Sequence, residues 1–109
     1  MEIRFEHGRL EKFFKSKTML TRKFGPKVAA GVHRRMQDLR IAENLDEISH
    51  LPPQRLHALL GKYSGCFAID VTQNVRLIFR GVDAENNMSV EKSKIVGIII
   101  KEVIDYHDK

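Results

Sequence analysis

A length of 109 residues, 42% of them hydrophobic and 30% charged, suits one compact soluble domain spanning residues 1–109 and excludes a disordered or fibrous chain. The longest apolar run, Ile95–Ile100, falls far short of the ~20 residues a bilayer requires, and the N-terminus alternates charged with apolar residues, so neither a membrane role nor a secretory leader is expected. The formal charge of +5 is uneven: residues 1–40 hold 11 Lys and Arg against 4 acids, whereas residues 41–109 hold 8 against 10, a bias that suits a polyanionic partner, with nucleic acid ahead of an acidic protein or membrane surface.

In chain order, Met1–Glu6 sets Ile3 and Phe5 against Glu2, Arg4 and Glu6, the period of a half-buried strand. Leu10, Phe13 and Phe14 then follow helical spacing in a short amphipathic helix. Ser16–Gly25 reads as a basic connector. Pro26 suits the first turn of a second helix, whose apolar stripe is Val28, Val32, Met36 and Leu39. Gly31 is either a weak point of that helix or a place of close packing. Lys27, Arg34, Arg35 and Arg40 are placed on its outer surface, with no aromatic among them, a pattern that suits phosphate contact better than base stacking. Asn44 is expected to close the helix in the left-handed conformation. Leu45, Ile48 and Leu51 are expected to pin a loop that Pro52 and Pro53 keep irregular.

A strand is possible over Arg55–Gly61, with Leu56 pointing opposite to Arg55 and His57. Cys66–Val71 and Val75–Arg80 alternate around Thr72-Gln73-Asn74, a hairpin signature that brings Asp70 and Arg76 to one face. Lone Cys66 permits no intrachain disulfide, as suits a reducing cytoplasm, and reads as a core filler. Val82–Lys94 lacks periodicity and reads as a mobile loop. Ile95–Val103 is dense in β-branched residues and reads as a central strand buried on both faces, with Asp105, Tyr106 and His107 at its exit. The expected architecture is α+β: a strand and two helices packed on an antiparallel-dominated sheet.

The histidines lack the paired spacings of zinc sites, and no glycine-rich loop precedes a helix, so neither metal nor nucleotide cofactor is assigned. What remains is His57, Arg76, Asp105, Tyr106 and His107. These groups are coherent for cleaving an RNA phosphodiester without metal. Two imidazoles supply a base for the 2′-hydroxyl and an acid for the departing 5′-oxygen. A guanidinium stabilises charge on the phosphate as the transition state forms. A carboxylate orients an imidazole or takes a proton, and a phenol stacks under a base or joins the relay. The alternative is a polar chain end with no chemistry.

The ordered motifs Arg55-Leu56-His57-x-Leu59-x-Gly61, Arg76 before Ile78-Phe79, and Val103-Ile104-Asp105-Tyr106-His107 resemble the HigB-like branch of the RelE/ParE toxin superfamily, the plasmid maintenance killer proteins of type II toxin–antitoxin systems. The resemblance implies a RelE-like fold and a ribosome-dependent mRNA endonuclease that works in the A site. It also implies a partner, a HigA-like helix-turn-helix antitoxin, through which alone operator DNA is met. By position, His57, Arg76, Asp105, Tyr106 and His107 match the family's catalytic motifs. Lys27, Arg34, Arg35 and Arg40, with Lys62 and Arg80, are the bases expected to meet RNA and the ribosome. Two positions depart from the pattern: Leu60 stands where a lysine is usual, and Asp70 where a basic residue is usual. Either other bases compensate or catalysis is weak. A non-catalytic or degenerate toxin-fold protein, acting on antitoxin and operon or inhibiting gyrase as ParE-like proteins do, is the rival reading.

Overall fold

A computed structural model describes residues 1–106. The chain forms a strand β1 (Glu2–Phe5), three helices α1 (Gly8–Phe14), α2 (Lys17–Phe24) and α3 (Pro26–Ile41), and then five strands: β2 (His57–Ala58), β3 (Cys66–Asp70), β4 (Val75–Val82), β5 (Met88–Ser89) and β6 (Gly97–Asp105). The sheet order is β1-β6-β4-β3-β2, and β5 extends it beside the end of β4. Among the described residues only the β1–β6 pair is parallel; the other pairs are antiparallel. The arrangement is α+β and matches the RelE-like fold.

The expected apolar patterns become the core. Val32, Met36 and Leu39 of α3 are buried with Phe67, Ile69, Leu77, Phe79, Ile98 and Ile100 from one face of the sheet. Phe5, Phe13, Phe14 and Phe24 form a chain of aromatic contacts at 5.4–6.1 Å that fastens α1 and α2 beside β1. Gly31 is a place of close packing: a Cβ there would lie 2.8 Å from the carbonyl oxygen of Val71. The opposite, helix-free face has a smaller apolar floor of Cys66, Ala68 and Ile78.

Five expectations change. Ser16–Gly25 is not a connector, because Ser16 Oγ accepts from Met19 N at 3.1 Å, Leu20 is buried, and Gly25 ends the helix at φ +88°. Its one buried anchor among basic residues gives little periodic signal. Asn44 is extended rather than left-handed, and its side chain caps the turn Leu45–Glu47 by accepting from Asp46 N. Leu45 and Ile48 do pin the segment, but Leu51 is exposed, because the Ser49 hydroxyl takes up its amide in a surface turn. Val82–Lys94 is an ordered connection: Asp83 Oδ1 accepts from the amides of Glu85 and Asn87, and Met88–Ser89 pairs with Gly81–Val82. Arg35 is not on the outer surface; it is buried, as described below.

β6 lies between β1 and β4, as the apolar run suggests, but it does not pair evenly. Ile78 faces Glu102 while its neighbour Phe79 faces Ile100, leaving Lys101 as an extra residue, a β-bulge. Because side chains alternate strictly, the bulge changes which residues face the helices. Ile98 and Ile100 belong to the helix-side core before it, and Val103 after it, so Glu102 and Ile104 emerge on the helix-free face. Lys101 itself reaches Glu6, with Nζ to Oε1 at 3.1 Å.

Candidate active site on the helix-free face of the sheet

Strand register assembles the site. His57 pairs with Ala68, Ala68 with Ile78, and Ile78 with Glu102, so these four form one row across β2, β3, β4 and β6. Asp70, Arg76 and Ile104 form the next row, two residues along each strand, and therefore share the face. His57 and Arg76 thus lie on the same side of the sheet although nineteen positions separate them in sequence. The small side chain of Ala68 keeps the floor low between them.

His57 is delivered by an unusual turn. Arg55 adopts a left-handed backbone, φ +47°, which a bulky residue seldom does without support. Its amide donates to Leu51 O at 3.0 Å and Leu56 N donates to Ser49 O at 2.9 Å, so Leu56 enters the core and His57 faces the other way. His57 Nδ1 stands 2.7 Å from the Arg55 carbonyl. A carbonyl oxygen only accepts, so Nδ1 carries the hydrogen. In the neutral ring Nε2 then holds the lone pair and is the basic nitrogen.

Arg76 is half-buried and doubly engaged. Its guanidinium carbon lies 4.9 Å from the centroid of the Tyr106 ring, a cation–π contact. Its Nε is 3.5 Å from Asp70 Oδ1, while Arg55 Nη1 is 3.4 Å from Asp70 Oδ2. At such separations these are charge contacts rather than good hydrogen bonds. Asp70, buried between two guanidiniums, leaves the trio with one net positive charge. The departure at position 70 therefore holds the arginines in place and also weakens their joint pull on an anion. At the other departure, Leu60 is exposed.

The remaining predicted residues are distributed as follows. The amide of Tyr106 donates to Asn74 O at 2.8 Å, which fixes the end of β6 beside the β3–β4 turn. Asp105 pairs with core residue Val75, so its register parity is that of the helix face and not that of Arg76. His107 lies outside the described residues. Arg80 shares the helix-free face with Arg76 and runs beside Gly65, and exposed Lys62 stands at the rim of the site. Lys27, Arg34 and Arg40 are exposed on the helix layer, on the other side of the sheet.

Arg35 is a correction to the expected basic face. It is 7% exposed; Nε donates to the Asp70 carbonyl at 2.8 Å, and Nη1 to Asp38 Oδ2 at 2.7 Å. It braces α3 against the end of β3, a task no phosphate contact allows. The heptad-like spacing of α3 gave no sign of this, because Arg35 sits beside Met36 at the edge of the apolar stripe.

Two polar residues of the site face escaped the sequence reading. Tyr63, in the single 3₁₀ turn Gly61–Tyr63, packs on the Cys66, Ala68 and Ile78 floor, and its phenol lies close to the Glu102 carboxylate. The polar contact with Glu102, then burial, then the carboxylate's negative charge push the phenol up to about 12. Glu102 follows Lys101 within the final strand, and the bulge at Lys101 turns it toward the site.

A groove of about 670 Å³ on the helix layer, floored by Leu20, Ala29, Val32 and Met36, is the more enclosed space, but it faces away from His57 and Arg76. Chemistry and not concavity therefore locates the site.

Comparison with curated proteins finds no match. A family model does match residues 3–92: the RelE-like toxin HigB of type II toxin–antitoxin systems. The matched stretch includes His57, Tyr63, Asp70 and Arg76 and ends before β6. On this match over most of its length, and on the fold it forms, the chain belongs to the HigB-like toxin family, whose members are partnered by an antitoxin.

Proposed function

We propose that this toxin is an endoribonuclease that cuts translated mRNA on the ribosome by 2′-hydroxyl attack on the adjacent phosphorus. The observation that carries the reading is the pairing of His57, with Nδ1 tied to the Arg55 carbonyl, and Arg76 on one face of the sheet. His57 Nε2 takes or gives a proton, and Arg76 stabilises the charge that builds on the phosphate oxygens. Tyr106 holds the guanidinium by stacking and offers its ring to a base. His107 is the second acid–base group, and Asp105, whose register is that of the helix face, takes no direct part in the step. No step in this chemistry needs a cofactor. Arg80 and Lys62 extend the positive field on the site face, while Lys27, Arg34 and Arg40 serve ribosomal RNA from the far side.

Induction of the chain alone in cells, with primer extension on mRNA from a translating extract, tests the proposal. Wild type is expected to arrest growth and produce discrete mRNA ends. His57→Ala and His107→Gln are each expected to lower cleavage by about 10²–10⁴-fold, the worth of an acid–base group. Arrest with intact mRNA would refute it.

One observation favours a second reading, a toxin that acts by binding alone: Asp70 occupies Arg76 with a carboxylate where substrate would place a phosphate. On that reading Arg76→Ala leaves arrest unchanged.

A further inference from the structure

Lys62, Tyr63 and Glu102 form a connected unit on the site face. Glu102 comes from β6, next to the bulge; Tyr63 and Lys62 come from the turn that follows Leu60. The Tyr63 ring packs on Cys66, Ala68 and Ile78, in the gap between the His57 end of the row and the Glu102 end. Because Ile78 pairs with Glu102, the ring that packs on Ile78 brings its hydroxyl close to the Glu102 carboxylate. Lys62 Nζ stands 5.2 Å from the ring centroid, so a flexible ammonium is held over an aromatic platform that is itself anchored at its far end.

We propose that Lys62 is the phosphate-binding cation of the site, and that Tyr63 and Glu102 are positioning residues that hold it over the helix-free face. The inference rests on the nuclease reading above and deepens it. It answers the loss of charge at Leu60: the cation arrives two residues later, carried on a ring instead of on the strand. Asp70 leaves Arg55 and Arg76 with little surplus charge, so a further cation on the same face is what a bound phosphate needs. A long ammonium resting on a ring can leave it for a phosphate with little rearrangement, since both contacts are electrostatic and neither is buried deeply.

The test is fluorescence anisotropy of a labelled hexanucleotide RNA carrying 2′-O-methyl groups, which binds but resists cutting, over a range of KCl concentrations. Lys62→Ala is expected to weaken binding about tenfold and to reduce the slope of log K against log salt by about 0.7, the value of one single-strand phosphate contact. Lys62→Arg is expected to restore both. Tyr63→Phe keeps the ring and loses the anchor; Glu102→Ala loses the anchor from the other side. Each is expected to weaken binding by about two- to fivefold, and the double variant no further, because the two groups act as one. Glu102→Gln keeps an acceptor for the phenol and is expected to bind like wild type.

An unchanged salt slope in Lys62→Ala, with Arg76→Ala weakened, overturns the inference while the nuclease reading stands. A lost slope in Lys62→Ala with wild-type behaviour in Tyr63→Phe and Glu102→Ala overturns the platform. Absence of binding by the wild-type protein removes the nucleic-acid role of this face and the inference with it. Lys62 is exposed, so its substitution leaves the fold intact even where a Tyr63 variant does not.

Discussion

Replacing Arg35 separates a brace from an RNA contact. Arg35→Met keeps most of the apolar stem and removes the guanidinium. The buried carbonyl of Asp70 then loses a charged donor at 2.8 Å, worth about 1.5–3 kcal/mol. The Asp38 pair adds less, about 1 kcal/mol or under, because the Asp38 side chain keeps 32% of its surface and still receives Gln54 Nε2 at 3.3 Å. Removal of a desolvated charge offsets part of this. A net loss of about 2 kcal/mol follows, and Arg35→Ala, which also deletes the stem, loses about 3 kcal/mol. At about 4–8 °C per kcal/mol for a domain near this size, the melting temperature should fall by about 10–20 °C. Arg34→Ala, one residue away and exposed, should stay within about 0.5 kcal/mol of wild type. Urea denaturation and calorimetry measure both. The reasoning fails if Arg35→Met unfolds like wild type while the salt dependence of ribosome binding drops by one contact; Arg35 would then be an exposed base after all.

Gly31→Ala gains about 1 kcal/mol of helix propensity but drives a methyl to 2.8 Å from the Val71 carbonyl and 2.9 Å from its Cγ1. Overpacking of about 1–3 kcal/mol should win, so the variant should melt lower in a thermal scan; a higher melting temperature would show that α3 can slide on the sheet. Asp70→Asn releases Arg55 and Arg76 from their shared carboxylate, and RNA binding measured by anisotropy should tighten and become more salt-dependent. Tyr63 offers a pH signature. Its folded value of about 12 exceeds the ordinary value of 10.0, so the neutral phenol favours the fold, and its contribution is complete below pH 10 and lost as pH rises toward 12. Ultraviolet titration should show a late phenolate step that Tyr63→Phe removes.

Legibility in the sequence follows the strength of local periodicity. β1, α1, α3 and the β3–β4 hairpin each carry a clear period, the apolar part of β6 a continuous run, and all of them formed, although Val96 is exposed and Ile99 is only half-buried where burial on both faces was expected. α2 did not announce itself, since a helix with one buried anchor, Leu20, looks like a basic linker until its Ser16 cap is recognised. The Asp70–Arg76 pair was visible because a tight hairpin fixes register. Arg35 was misplaced because its partners, Asp38 apart, come from the far end of β3. Tyr63 was passed over because the residues that give it meaning lie on three other strands. The charge surplus of the first forty residues proved to sit largely on the helix layer, behind the candidate site, so net charge located a face but not the chemistry.

The extra residue at Lys101 has one more consequence. Deleting it would remove the bulge and leave the pairing even: Ile100 would still face Phe79, and Glu102, now its direct neighbour, would still face Ile78. Glu102 and Ile104 would keep the helix-free face and Val103 the helix side, so loss of this one codon should spare the working face, whereas the same loss in a strand without a spare residue would turn every following side chain over.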